Sequence, residues 1–120
     1  MGMLRREIRS ILEMPDEFDN EPKGPSLELI RNEVARHYDL TINEIRSRRR
    51  TARIVNCRYI AFYLSCELTS HRLITIADMY GVSVALVIWG RDRITKAIRL
   101  DAALARDVRA IKAAIIKAKA

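Results

Sequence analysis

The sequence predicts an all-α fold of about six helices, and two features favour that fold. Apolar residues recur three and four positions apart between residues 26 and 115, the spacing of helices that bury one face. No segment alternates apolar and polar residues as a strand would. The length of 120 residues suits one small domain and leaves no room for a second full core. We expect a helical domain at residues 26–120, after a leader helix and an acidic-leaning linker at residues 1–25.

Local signals place the first elements. Residues 3–14 can form a short amphipathic helix, and residues 15–25 have the Asp, Glu, Asn, Pro and Gly content of a linker. The domain's first helix is predicted to begin after Ser26, a residue type that caps helix N-termini. A capping-box pattern at Thr41–Glu44 predicts a short second helix that ends near Arg46.

The third predicted helix, from about Thr51 to Leu68, has the widest apolar stripe. One face carries Ile54, Cys57, Ala61, Leu64 and Leu68. Tyr59, Phe62 and Tyr63 widen that stripe, so we expect this helix to be central and nearly surrounded.

The rest of the chain predicts a pair of helices joined by a tight turn, and then a final helix. Residues 73–80 form a predicted helix that ends at Gly81, the usual residue after a helix C-terminus. Ser83 is the expected N-cap of a fifth helix over about residues 84–98, and Asp101 opens a sixth. A short helix, a glycine turn and a second helix form the helix-turn-helix pattern, which many helical hairpins also share.

The charge of the chain is basic and unevenly placed. Lys and Arg number 22 against 15 Asp and Glu, for a formal net charge of +7. Residues 1–24 hold four basic and six acidic residues, so residues 25–120 hold 18 and nine and carry +9. A basic domain favours nucleic acid or an anionic membrane, whereas the plain alternative is a solubilising surface charge. The densest cluster, residues 46–53, leads straight into the third helix, which would hold a cationic loop rigidly against a nucleic-acid backbone.

Several other classes of function lack support. No stretch approaches the roughly 18 apolar residues of a membrane span, and the N-terminus lacks the apolar core of a secretory signal. Cys57 and Cys66 fall on nearly opposite faces of one predicted helix, and with His37 and His71 they show no metal-ligand spacing. We therefore expect no disulfide, metal or other cofactor, and a reducing cytoplasm. Neither a nucleophile–base arrangement nor a Gly-x-x-x-x-Gly-Lys-Ser/Thr loop occurs, so we expect no enzymatic activity.

Four segments in order carry a resemblance to a known family. They are Ser26–Arg50, Arg48–Thr69 with its Ile-Ala-Phe-Tyr-Leu-Ser-Cys-Glu-Leu-Thr run, Leu73–Gly81, and Asp101–Ile111. Together they resemble the C-terminal DNA-binding domain of the bacterial chromosomal replication initiator DnaA, over about residues 26–112. The resemblance implies a Trp-repressor-like, initiator-type helix-turn-helix domain. It also implies a stand-alone, nucleoid-associated protein that binds double-stranded DNA in replication or transcription control.

The resemblance also implies particular DNA contacts. In that family the basic loop inserts arginine into the minor groove, and the second helix of the helix-turn-helix reads the major groove. Arg50 matches the minor-groove arginine, with Arg48 and Arg49 beside it, and guanidinium groups suit the narrow, negative minor groove of A·T-rich DNA. Arg58 matches a second arginine that meets DNA, although it could instead form a salt bridge or extend past the apolar surface to solvent. Thr75, in the first helix of the pair, is a further DNA contact on this basis.

The recognition helix departs from the family. The family carries Gly-Arg-Asp-His-Thr-Thr there, and this chain has Gly81-Val-Ser-Val-Ala-Leu-Val87. With one residue deleted, Ser83 falls on the Asp, Val84 on the His and Ala85 on the first Thr. Val and Ala side chains have no hydrogen-bonding groups and at most touch a thymine methyl. We therefore expect an altered or relaxed sequence preference.

Two residues later in this helix leave alternatives open. Trp89 could pack in or near the core, stack on a base, or join Val84 and Leu86 in an apolar patch for a second copy or a protein partner. In that last hypothesis the domain is an interaction or dimerisation module that has lost specific DNA binding. Gly90 lies in the middle of the helix, where glycine costs about 1 kcal/mol of helix propensity. The run Gly90-Arg-Asp92 echoes the missing family motif but lies too late in the helix to replace it.

Overall fold

The computed structural model describes residues 23–119, so the predicted leader helix and most of the predicted linker lie outside the described residues. In this described part of the chain, six helices follow one another with short connections: α1 (Leu27–His37), α2 (Ile42–Arg46), α3 (Ala52–Leu68), α4 (Leu73–Tyr80), α5 (Val84–Leu100) and α6 (Ala102–Lys119). Residues 23–119 contain no strand, and the all-α prediction is confirmed. The helix α5 is two residues longer than predicted and ends at Leu100 rather than at Ile98.

Side-chain caps begin four of the helices where the sequence predicted. Ser26 and Ser83 each accept a hydrogen bond from the backbone N–H three positions on, at 3.1 Å. Thr41 and Glu44 form both bonds of the capping box, at 3.0 Å each. Asp101 accepts from the third backbone N–H after it, also at 3.0 Å. Each cap satisfies a donor that the helix itself cannot, and contributes about 1 kcal/mol.

The helix α3 is the centre of the domain, as predicted. It packs against α1, α2, α4 and α5, while α6 closes the core against α1 and α5. Ile60, Ala61, Phe62 and Leu64 of α3 are each no more than 1% exposed. Buried residues at successive positions point in different directions around a helix, so α3 is covered on more than one face.

The helices α4 and α5 form a helix-turn-helix. Gly81 ends α4 with φ 66° and ψ 36°, a left-handed conformation that only glycine adopts without penalty. The backbone N–H of Val82 donates to the carbonyl of Ala77 at 3.0 Å and closes the turn. The two helices are bent by 99°, within the range of helix-turn-helix motifs.

Gly90 allows α5 to lie close against α3. A Cβ atom at this buried position would stand 2.6 Å from Cδ1 of Tyr59 and 3.1 Å from Cδ2 of Phe62. Real side chains do not tolerate the shorter of these distances. The helix-propensity cost of Gly90 is therefore offset by the close approach of α3 and α5.

Within residues 23–119, no single helix is both long and apolar enough to cross a membrane. The bent pair of α4 and α5 satisfies the length and composition criteria together, but its residues Ile76 and Val87 are fully buried in the core. The same part of the chain contains no cluster of three His, Cys, Asp or Glu residues that could hold a metal ion. Cys57 and Cys66 are both free thiols.

Candidate nucleic-acid interface

An open groove of about 520 Å³ joins the arginine loop to the helix-turn-helix. We call it the arginine groove, and one part of its lining consists of Arg48, Arg50, Arg58, Gly81, Val82, Ser83 and Leu86. Tyr59 and Phe62 of α3 form its floor together with Val55. Two segments more than 30 residues apart in sequence thus meet at one concave surface. The loop and the first turn of α5 are positioned to contact one ligand together.

The arginine loop, residues 47–51, has no regular structure but is anchored at several points. The hydroxyl of Ser47 accepts a hydrogen bond from the backbone N–H of Arg49 at 3.3 Å. The guanidinium Nη2 of Arg58 donates to the backbone carbonyl of Arg49. The side chains of Arg48–Arg50 are exposed. The backbone of the loop is therefore held while its three guanidinium groups face solvent.

A second arginine ties the start of α3 to the end of α1. The Nη2 atom of Arg53 donates to the backbone carbonyl of Tyr38. The Tyr38 hydroxyl donates in turn to Oδ2 of Asp107 at 3.4 Å, and the other carboxylate oxygen of Asp107 lies 3.7 Å from Nε2 of His37. Burial, reinforced by the Asp107 carboxylate, raises the pKa of Tyr38, so its phenol stays protonated and able to donate. These contacts link α3, α1 and α6 behind the arginine loop.

Arg58 combines a structural contact with a place in the groove. Its Nη2 atom holds the Arg49 carbonyl, whereas its Nε atom is buried without a hydrogen-bond partner. Burial lowers the pKa of this guanidinium, which still remains charged at neutral pH. Among residues 23–119 no carboxylate forms an ion pair with Arg58, so the salt bridge considered from the sequence is not found.

At the start of α5, Ser83 and Leu86 line the groove, whereas Val84 and Ala85 do not. Ser83 and Ala85 are exposed, and Val84 is half-buried. The Ser83 hydroxyl already accepts from the Leu86 N–H at 3.1 Å, which leaves its own O–H to donate. The start of α5 therefore places one side-chain donor at the groove, while Val84 and Ala85 lie outside its lining.

Thr75 is exposed on α4 but lies outside the arginine groove. It lines a separate shallow cleft together with Ser26, Glu28 and Asp78. Two carboxylates in such a cleft oppose the approach of a phosphate. The structure therefore brings together the loop arginines, Arg58 and Ser83, and leaves Thr75 apart from them.

The residues predicted for an apolar patch do not share one face of α5. Rotation of 100° per residue places Val84 about 160° from Leu86 and about 140° from Trp89 around the helix axis. Val84 and Leu86 are half-buried and pack against the core. Only Trp89 is largely exposed, at 54%. A continuous patch of these three side chains is therefore absent.

Trp89 packs at the edge of the core rather than inside it. Its ring meets Tyr59 edge-on, with centroids 5.5 Å apart and planes at 74°. The guanidinium carbon of Arg93 lies 5.4 Å from the centroid of the Trp89 ring, within cation–π range. Sequence reasoning assigned Tyr59 to the core stripe and missed its place in the groove. Its position directly after Arg58 is the only local signal that could have indicated it.

An all-α domain with a helix-turn-helix beside a groove of arginines has the architecture of a DNA-binding domain. Residues 27–94 match the family model for the bacterial DnaA protein helix-turn-helix, and the chain belongs to that family. The resemblance predicted from the sequence is thereby confirmed, and the family is one of DNA-binding domains.

Individual relatives are chromosomal replication initiator proteins DnaA. The chain is 33% identical over 99 residues to that of Caldanaerobacter subterraneus subsp. tengcongensis, which is 82% of this chain and 22% of the relative. It is 37% identical over 84 residues to that of Lactiplantibacillus plantarum, or 69% of this chain and 18% of the relative. It is 32% identical over 113 residues to that of Rhodopseudomonas palustris, which is 93% of this chain and 23% of the relative. The chain thus spans about a fifth of the length of these relatives.

Proposed function

We propose that this domain binds double-stranded DNA with the arginine loop at the minor groove and the first turn of α5 in the adjacent major groove. The observation that carries the proposal is the arginine groove itself. Arg48 and Arg50 share one concave surface with Ser83, so one duplex can meet both elements. Arg49 is exposed beside them and adds a further positive charge for phosphate.

We further propose that sequence preference is weaker or different from that of the DnaA relatives. Phosphate contacts supply most of the affinity of such a protein, and base contacts supply its preference. Val84 and Ala85 offer only apolar contact to a thymine methyl, and each missing bidentate contact removes about 1–3 kcal/mol of discrimination. The minor-groove arginines would then favour A·T-rich DNA through groove width rather than through a base code.

We infer a biological role in the control of replication or transcription, by occupation of sites near those used by a full initiator. The support is that the relatives are named replication initiators and that the matched region is their helix-turn-helix.

Duplex binding and a selection from a random pool test the proposal together. Fluorescence anisotropy with A·T-rich and G·C-rich duplexes should show binding at about 50 mM salt. The logarithm of the association constant should fall with the logarithm of salt concentration by about 0.9 per phosphate contact. The selected pool should be enriched in A·T-rich stretches with little consensus at the positions that α5 meets. Absence of binding to every duplex at that salt concentration rejects the proposal.

The alternative, a protein-interaction module centred on Val84, Leu86 and Trp89, has weaker support because those side chains do not form one patch. It requires a dimer or complex that depends on Trp89. Light scattering across a range of concentrations distinguishes the two, since a concentration-independent monomer excludes self-association through this helix.

A further inference from the structure

An exposed aromatic side chain lies at the rim of the arginine groove. Trp89 leaves 54% of its surface in solvent, although a tryptophan gains more from burial than almost any other side chain. Its neighbour Tyr59 lines the groove and meets it edge-on at 5.5 Å. Trp89 does not itself line the groove, but its ring adjoins the groove through Tyr59.

No apolar neighbour accounts for this exposure. The other large apolar side chains exposed within residues 23–119 are Ile74, Leu100 and Ile116. Leu100 is eleven residues farther along α5, which is about 16 Å away. Trp89 is instead accompanied by cations, with Arg93 over its ring at 5.4 Å. Trp and Arg are both enriched in protein interfaces, so the choice of ligand rests on the adjoining groove of arginines.

Arginines beside exposed aromatic rings match one class of ligand. Proteins that bind single-stranded nucleic acid combine a basic groove for the backbone with aromatic side chains on which unpaired bases stack. Arg48 and Arg50 supply the cations of the basic groove, and Trp89 supplies an exposed ring beside it. A paired base in a duplex cannot present its face to such a ring, whereas an unpaired base can.

We propose that the arginine groove also binds single-stranded DNA, with an unpaired base stacked on Trp89 and the adjoining phosphates at the groove arginines. The inference rests on the proposed function only in using the same arginines for phosphate. Because one set of arginines serves both ligands, single-stranded and duplex DNA compete for the domain.

Trp89 is the only tryptophan of the chain, so its fluorescence reports directly on stacking. The protein is titrated at about 50 mM salt with a thymidine oligonucleotide of about 16 nucleotides and with an abasic oligonucleotide of equal length. The thymidine strand should quench the fluorescence and bind about 5- to 150-fold more tightly than the abasic strand, the range expected for loss of a stacked base. Equal affinity for the two strands, or binding without quenching, overturns the inference.

Two variants locate the effect. Trp89→Leu should lower affinity for the thymidine strand toward that for the abasic strand, and Trp89→Phe should retain part of the difference. Leu100→Ser is the matched control, since Leu100 is an exposed side chain of the same helix at 89% exposure, and it should change nothing. Undiminished strand affinity of Trp89→Leu contradicts the inference. Because the abasic comparison uses the unaltered protein, it decides the matter even if a variant folds poorly.

Duplex binding measured on the same preparations separates this inference from the proposed function. If the protein binds the duplex but the thymidine strand does not quench its fluorescence, only the base-stacking inference is rejected. Loss of binding to both ligands rejects the proposed function as well. If the protein binds each ligand separately, an unlabelled thymidine strand should displace a labelled duplex. Failure to displace the duplex contradicts a shared site.

Discussion

The guanidinium group of Arg58 donates a hydrogen bond to the backbone carbonyl oxygen of Arg49. The helix that follows the arginine loop therefore holds that loop in the conformation that presents Arg48 and Arg50 to the groove. A loop ordered before binding loses less conformational entropy when DNA arrives. Arg58, matched by resemblance to a DNA-contacting arginine, thus has a positioning role within the protein itself.

Substitution of Arg58 tests that positioning role. Arg58→Ala should weaken duplex binding by about tenfold, the scale of one hydrogen bond to a charged group, while the salt dependence stays nearly unchanged. Arg58→Lys should lose nearly as much, because a lysine ammonium does not reproduce the directed fork of a guanidinium. Anisotropy titrations at several salt concentrations give both quantities. A salt slope reduced by about 0.9 would show instead that Arg58 contacts a phosphate directly.

Arg50 is the proposed minor-groove residue. The affinity lost when Arg50 is substituted should therefore depend on the DNA sequence. Arg50→Ala should weaken binding to an A·T-rich duplex by about 1–2 kcal/mol and to a G·C-rich duplex by less, because the narrow A·T minor groove attracts arginine most strongly. Arg106→Ala on α6 is the control, since Arg106 is exposed but does not line the groove. Equal losses on the two duplexes would place Arg50 on a phosphate rather than in the minor groove.

The elements that could be predicted from the sequence are those fixed by short-range interactions. The caps at Ser26, Thr41 and Ser83 act within three residues, and Gly81 ends α4 through its own backbone conformation. Such signals do not depend on how the helices pack, so the observed helix boundaries lie close to the predicted ones.

The parts that could not be predicted depend on contacts between distant segments. The Arg58–Arg49 bond requires the loop to fold back over α3, and the place of Trp89 requires α5 to cross α3 at Tyr59. Thr75, which is predicted to contact DNA, lines a different cleft beside Glu28 and Asp78, and no local pattern indicates that placement. Tertiary packing decides each of these, and no local pattern encodes it.

Gly90 should be intolerant of even the smallest side chain. Gly90→Ala gains about 1 kcal/mol of helix propensity but forces a Cβ to within 2.6 Å of the Tyr59 ring, and overpacking of this kind costs about 1–3 kcal/mol. We expect a net loss of about 1 kcal/mol in the free energy of unfolding, measured by urea denaturation. In a Tyr59→Ala background the same substitution should become neutral or stabilising. An equal loss in both backgrounds would show that the Tyr59 ring is not the obstacle.

Cys57 should make the domain less stable in alkaline solution. Burial raises the pKa of Cys57 to about 11, whereas an unfolded thiol ionises near 8.5. Between these values the unfolded chain releases a proton that the folded domain retains, so the free energy of unfolding falls as pH rises through that window. Tyr38 and Tyr80 also have raised pKa values, and they lower the free energy of unfolding further at higher pH. Urea denaturation between pH 7.5 and about 10.5 should show a smaller fall for Cys57→Ala, and parallel curves for the two proteins would exclude a thiol contribution.

Restoring polar side chains to the first turn of α5 should restore sequence preference. The double variant Val84→His/Ala85→Thr replaces two apolar side chains with groups that can hydrogen-bond to base edges, at positions that match the base-reading residues of the DnaA family. Ala85 is exposed, whereas Val84 is half-buried and packs against the core, so urea denaturation of the variant should first establish that it remains folded. Each restored contact should add about 1–3 kcal/mol of discrimination between duplexes, while affinity for random DNA changes little because the arginines are untouched. A selection from a random pool should therefore yield a clear consensus for the variant where the unaltered protein gives little. If both proteins select equally diffuse sequences, the first turn of α5 does not enter the major groove as proposed.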